Sequence, residues 1–178
     1  MILKGRAHLF GDDINTDYII AGKYRASALD LKEMAKHVME DIRPDFARDV
    51  ALGDFIVAGK NFGCGSSREY APKVIIEAGV SAIVAQSFAR IFYRNCINSG
   101  LPVVECDISS FEEGDALELK LLEGEIVNHT KNTVVRFSKM PPFVEEVIRC
   151  GGMIEYLEQH ADSFFENLND GAEEAEEK

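Results

Sequence analysis

Phe55-Ile56-Val57-Ala58 is apolar at every position, and Ala82-Ile83-Val84-Ala85 repeats the pattern further on. A half-exposed strand alternates apolar and polar side chains. A short run with no polar side predicts a strand covered on both faces, the usual condition in a parallel sheet. Between the two runs, residues 73–78 read as a helix closed by Gly79. After the second, residues 88–98 read as a helix whose Phe88, Ile91, Phe92 and Ile97 face a core. Strands alternating with helices predict parallel pairing, with ligand contacts at the C-terminal strand ends.

The remainder fits around that unit. Residues 3–10 predict an opening strand, turned by Gly11-Asp12-Asp13 toward Ile14-Asn15-Thr16-Asp17. Residues 22–27 form a polar loop before a helix over 29–39, where Leu31, Met34, Ala35 and Val38 recur at helical spacing and His37 has a packing or surface role. A polar connection follows over 41–49. From Gly114 the pattern changes to alternating runs at 116–121, 125–128 and 133–137, an antiparallel meander with His129 exposed in a turn. A helix over 143–149 and a shorter one over 153–157 flank Gly151-Gly152. We expect one domain over residues 1–165 and an acidic, disordered tail over 166–178, which has little to bury.

Charge narrows the partners. A formal net charge of −12 argues against nucleic acid and anionic lipid, both of which need clustered Lys and Arg. Cys64, Cys96, Cys106 and Cys150 are scattered, with no Cys-x-x-Cys pair and no secretory leader, which points to a reduced, cytoplasmic setting. No apolar run reaches the length of a membrane span.

The chemistry concentrates in Lys60-Asn61-Phe62-Gly63-Cys64-Gly65-Ser66-Ser67-Arg68-Glu69-Tyr70-Ala71-Pro72, between the first buried strand and its helix. Gly63 and Gly65 permit positive φ and close approach, Ser66 or Ser67 is placed to cap the helix, and Arg68 offers a planar fork matched to a carboxylate. Serine takes a proton only where nearby donors and positive charge steady its alkoxide. From spacing alone two readings stand: ordinary capping beside a surface arginine, and a carboxylate site. The pattern is neither Gly-x-Gly-x-x-Gly nor a P-loop, and no Gly-x-Ser-x-Gly elbow indicates a serine hydrolase. A non-catalytic carboxylate-binding module remains the rival to an enzyme.

The same 60–72 run closely resembles the signature of the small subunit of 3-isopropylmalate dehydratase and homoaconitase, in the aconitase superfamily. Residues 10–20, the run Ser87-Phe88-Ala89-Arg90-Ile91-Phe92-Tyr93-Arg94-Asn95 and Asn98-Ser99-Gly100-Leu101-Pro102 extend the likeness over roughly residues 1–160. The resemblance implies a swivelling α/β domain of β/β/α type, with parallel central strands and the antiparallel meander. It implies the small subunit of a heterodimeric hydro-lyase that moves a hydroxyl by dehydration and rehydration of a 2-hydroxy acid. The reading placed first is 3-isopropylmalate dehydratase of leucine biosynthesis; homoaconitase or another alkylmalate dehydratase is the alternative.

By the same resemblance Ser66 is the base, Ser67 and Gly65 contact substrate, Arg68 clamps a carboxylate and Asp17 positions an arginine. Tyr24, Arg25, Ala26 and Ser27 meet the substrate's variable part, with Arg25 either a second clamp on a shared carboxylate or the specificity residue. Arg90 and Arg94, four apart on one helix face, are a solvated pair or a contact with the larger partner. No metal ligand set is expected here: four ungrouped cysteines do not make a cluster site, so a [4Fe–4S] cluster is expected on a separate large subunit.

Overall fold

A computed structural model describes residues 1–27 and 30–161, with only the backbone described at residues 25 and 26. The elements in chain order are β1 (Ile2–Leu9), α1 (Thr16–Ile19), α2 (Gly22–Ala26), α3 (Leu31–Ala35), α4 (Phe46–Asp49), β2 (Phe55–Ala58), α5 (Tyr70–Glu77), β3 (Ala82–Ala85), α6 (Arg90–Asn98), β4 (Val103–Glu105), β5 (Ala116–Lys120), β6 (Glu125–Asn128), β7 (Thr133–Arg136), α7 (Pro142–Cys150) and α8 (Met153–Gln159). Seven strands form one mixed sheet in the order β4-β3-β2-β1-β5-β6-β7. The first four run parallel and the meander runs antiparallel, as the apolar runs and the alternating runs predict.

Strand β1 is the joint between the two halves. Its end pairs with β2, Ala7 opposite Phe55 through Leu9 opposite Val57, while Ile2 to Arg6 pair antiparallel with β5. The central strands bury both faces for two different reasons. Ile56, Ala58, Ile83, Ala85 and Val103 pack with residues of α3, α5 and α6. Their neighbours Phe55, Val57, Ala82, Val84 and Val104 pack with Leu117, Leu119 and Ile126, so the sheet curls and its meander covers its own second face.

Three expectations need correction. The helix expected over 29–39 is confined to α3 among the described residues: Lys36, His37 and Val38 hydrogen bond three residues back. Met39, at φ +59, then donates its N–H to Ile19 O at 2.9 Å, which turns the chain toward α1. The 22–27 segment holds the short helix α2 rather than a loop. Finally, Ile91 does not face the core: it is 56% exposed, whereas Phe92 is 2% exposed and Cys96 fully buried. The core stripe of α6 therefore follows Phe92 and Cys96, four apart, and Ile91 falls outside it. The connection over 41–49 also holds α4, whose buried Phe46 meets the rings of His8 and Phe10 edge-on. The start of the expected helix at residue 29, the expected domain end at residue 165 and the tail over 166–178 lie outside the described residues. Among the described residues no helix is long and apolar enough to cross a membrane.

Asp54, 4% exposed at the start of β2, ties β1 to β2 through charge. Its carboxylate meets His8 Nε2 at 2.8 Å and accepts the N–H groups of Arg6 and Ala51, each at 2.9 Å. Burial alone raises its pKa, but the hydrogen bonds from His8, Ala51 and Arg6 outweigh it and leave the carboxyl below its ordinary 3.8. A carboxyl depressed on folding contributes stability that is complete above the unfolded value and lost as pH falls through the folded one. Asp54→Asn should therefore lower stability at neutral pH by about 1–3 kcal/mol and flatten its decline below pH 3.8, measured as urea unfolding midpoints across a pH series. An unchanged acid slope would remove Asp54 from this role.

Candidate functional site

Beyond their regular ends, β1 and β2 stay paired through two irregular segments. Gly59 N–H donates to Gly11 O at 3.1 Å, and Asp13 N to Lys60 O, Gly63 N to Ile14 O and Thr16 N to Cys64 O, each at 2.8 Å. Side chains reinforce the ladder: Asp12 accepts from Lys60 N, and Asn61 Nδ2 donates to Asp13, both at 2.7 Å. On the other side Phe62 N donates to Ser87 O at 3.0 Å and Ala89 N to Phe62 O at 2.9 Å, linking the same turn to the segment after β3. The turn is thus held between three C-terminal strand ends, where a parallel sheet places ligands.

Two glycines make this possible. At Gly63, φ is +78 and an added Cβ would lie 2.1 Å from the Phe92 ring; at Gly65, φ is +95 and a Cβ would lie 2.5 Å from Asn15 Oδ1. Both the backbone angle and the space exclude a side chain.

The serines do not cap the helix. Helix α5 begins at Tyr70, and its N-cap residue Glu69 makes no side-chain capping bond. Ser66 and Ser67 are exposed four and three residues ahead of it, because residues 66–68 are first pinned to α1. Thr16 Oγ1 donates to Ser66 O at 2.8 Å, and Arg68 reaches back over the same helix. Arg68 Nη1 donates to Ile20 O at 2.9 Å and to Tyr70 Oη at 3.2 Å, while Nη2 bonds Asp17 Oδ1. These bonds occupy three of the five guanidinium N–H groups and leave Nε–H and one Nη2–H for a ligand. Asp17, whose own N–H donates to Asn15 Oδ1 at 2.9 Å, lies against the Arg68 guanidinium.

Gly65, Ser67 and Arg68 line a cavity of about 370 Å³ together with Thr16, Gly63, Ala89, Arg90, Ile91, Phe92 and Asn95. Ser66 stands exposed on the turn between two lining residues, and its hydroxyl makes no hydrogen bond among the described residues. The cavity has a polar wall from the turn and a mixed one from α6, where Arg90 and Asn95 stand beside Ile91 and Phe92.

The substrate loop expected over 24–27 is committed elsewhere in part. Tyr24 stacks on His37 with centroids 4.1 Å apart, and its hydroxyl bonds Glu40 Oε1, which also meets Lys23 at 3.1 Å. The Glu40 bond pushes the Tyr24 pKa up. Burial raises the Glu40 pKa, yet the bonds from Tyr24, His37 and Lys23 hold it below the usual carboxylate value. Ser27 Oγ turns back to Lys23 O at 2.9 Å. The side chains of Arg25 and Ala26 lie outside the described residues.

Among the described residues no three His, Cys, Asp or Glu side chains converge as a metal site would require. Cys64, nearest the turn, points to Asp13 O at 3.5 Å, and burial together with the Asp13 carboxylate pushes its thiol pKa up, away from the thiolate a cluster needs. These residues do not fit an iron–sulfur cluster.

Motif reading did not assign Thr16, Ile91 or Asn95 to the cavity, and it read Arg90 as solvated or as a partner contact, because it fixed neither the path of residues 14–17 nor the phase of α6. The phase of α6 carries the available signal: Ile91 and Asn95 are four apart on a face that the Phe92–Cys96 stripe does not occupy.

A turn of this build, on a curled mixed sheet with its cavity at the parallel strand ends, is the architecture of the swivelling domain of aconitase-type enzymes, and the sequence profile of the Aconitase C-terminal domain family matches residues 15–107. The chain is 51% identical over 162 residues to 3-isopropylmalate dehydratase small subunit 2 of Archaeoglobus fulgidus, covering 91% of this chain and 98% of that one. It is 52% identical over 159 residues to the small subunit of Halothermothrix orenii, covering 88% and 96%. The crystal structure of 3-isopropylmalate dehydratase from Methanocaldococcus jannaschii superimposes with a TM-score of 0.88 at 43% identity, covering 94% of this chain and 99% of that one. The chain belongs to the family of 3-isopropylmalate dehydratase small subunits.

Gly63→Ala should cost about 3 kcal/mol, since it combines overpacking against a core ring with left-handed backbone strain. Urea unfolding of the variant checks this, and a loss below about 1 kcal/mol would show that the turn relaxes around a side chain.

Proposed function

We propose that this chain is the catalytic small subunit of a 3-isopropylmalate dehydratase. It would work in the cytoplasm with a large subunit that carries the [4Fe–4S] cluster. The observation that carries the reading is near-complete, roughly one-half identity to proteins of that name in a chain whose Ser66–Arg68 turn borders a cavity.

The reaction removes a proton from a carbon beside a carboxylate and a hydroxide from the neighbouring carbon, then returns water the other way round. When bound to its own subunit, the cluster supplies the Lewis acid for the hydroxyl. The present chain supplies the base and the grip. Ser66 Oγ, as alkoxide, takes the carbon-bound proton and returns it on rehydration, with positive charge from Arg68 two residues on and the N–H groups of the turn favouring the anion. Arg68 offers its two remaining N–H groups to a substrate carboxylate, and Asp17 holds the guanidinium in that orientation. Ser67 and the Gly65 backbone, both on the cavity wall, complete the polar side.

Ser66→Ala in the assembled, cluster-loaded enzyme should fold and assemble normally and lose about 10²–10⁴-fold in kcat for hydration of isopropylmaleate. Near-native turnover would refute the base assignment. Arg68→Lys should mainly raise KM, because an ammonium replaces neither the bidentate fork nor the bonds to Asp17 and Ile20 together. Unchanged KM and kcat would remove the clamp.

A further inference from the structure

The Glu40 carboxylate takes three partners. Its Oε1 accepts from the Tyr24 hydroxyl and meets Lys23 Nζ at 3.1 Å, while its Oε2 meets His37 Nδ1 at 2.7 Å. His37 lies 12° from parallel to the Tyr24 ring, so one segment grips Tyr24 both by its face and by its hydroxyl. A carboxylate only 24% exposed, with its oxygens shared among three donors, restrains the side chains it holds more than a surface ion pair does.

What these bonds hold is the neighbourhood of Arg68. Arg68 Nη1 donates to Ile20 O at 2.9 Å, and a Cβ built on Gly22 would stand 3.4 Å from both Nη1 and Nη2. Residues 20–22 therefore pass directly against the guanidinium, and Met39 and Glu40 fix that stretch at both ends. Ahead of it, Met39 N–H donates to Ile19 O at 2.9 Å; beyond it, Glu40 holds Lys23 and Tyr24. Met39 is fully buried, whereas Glu40 is not, so Glu40 is the anchor that a substitution can release without opening the core.

We infer that Glu40 is a positioning residue of the carboxylate clamp: by holding Lys23 and Tyr24 it keeps residues 20–22 against the Arg68 guanidinium and fixes the direction of its free N–H groups. The inference rests on the dehydratase reading, in which Arg68 grips a substrate carboxylate. Glu40 acts through Arg68 and not on the substrate. The same segment continues into residues 24–27, expected to meet the variable part of the substrate, and a double-mutant cycle separates the two routes.

The test uses the assembled, cluster-loaded enzyme on isopropylmaleate, with sedimentation velocity to verify assembly of each variant. Glu40→Ala should raise KM about 10-fold with a smaller change in kcat, and Glu40→Gln, whose amide oxygen still accepts from Tyr24, should recover part of the loss. In an Arg68→Lys background the same Glu40→Ala change should raise KM by less than about 2-fold, because the fork that Glu40 orients is gone. Unaltered KM in Glu40→Ala overturns the inference. So does a KM raised by the same factor in both backgrounds, since Glu40 would then act through residues 24–27 or through stability alone. If Glu40→Ala does not assemble, Tyr24→Phe keeps the ring on His37 and removes only the hydroxyl bond. It should raise KM about 3-fold beside Arg68 and leave it unchanged beside Arg68→Lys, and equal factors again overturn the inference. A wild-type complex inactive on isopropylmaleate overturns the dehydratase reading itself, and this assignment with it.

Discussion

The ladder that joins residues 11–16 to residues 59–64 beyond the ends of β1 and β2 carries everything else in the site. Four backbone hydrogen bonds of 2.8–3.1 Å continue the pairing of two parallel strands into segments that no longer have strand geometry. Paired backbone satisfies the polar groups of a partly buried loop and leaves the chain little freedom. It brings Thr16 and Asp17, about fifty positions earlier in sequence, beneath Ser66 and Arg68. Without this ladder the turn would be an ordinary exposed loop and Arg68 an ordinary surface cation.

The charge balance of the site depends on the same pairing. The chain carries a net charge of −12, yet the cavity presents two guanidinium groups in different states. Arg68, with 14% of its side chain exposed, is held by a carboxylate, a carbonyl and a phenol. It is fixed in direction, and its charge is offset by Asp17. Arg90 is the reverse, unconstrained by an acid and open to solvent. A rigid fork beside an uncompensated charge suits an anion that must be both oriented and attracted.

Much of this was legible in the sequence, for physical reasons that differ from place to place. The unbroken apolar runs at 55–58 and 82–85 require cover on both sides, and the fold provides it, although the meander rather than a second helical layer covers one face. Gly63 and Gly65 marked the turn correctly because only glycine fits both the angle and the space. Capping by Ser66 or Ser67 failed because long-range bonds from Thr16 and Arg68 hold residues 66–68 away from the helix start, a constraint that no local pattern contains. The helix over 29–39 was overextended because the Met39 N–H goes to Ile19 O instead of continuing the helix. Ile91 was misassigned to the core by counting apolar residues without fixing their phase. The resemblance implied only that Asp17 positions an arginine; that the arginine is Arg68, fifty-one positions on, is visible in the fold alone.

The most direct test of the central claim is a structure of the assembled enzyme with a bound alkylmalate. The turn over residues 63–68 should be unchanged, with the Arg68–Asp17 pair intact and Ser66 Oγ about 3–3.5 Å from the substrate carbon that loses its proton. A substrate bound elsewhere, or a rearranged turn with Ser66 directed away from that carbon, would contradict the account.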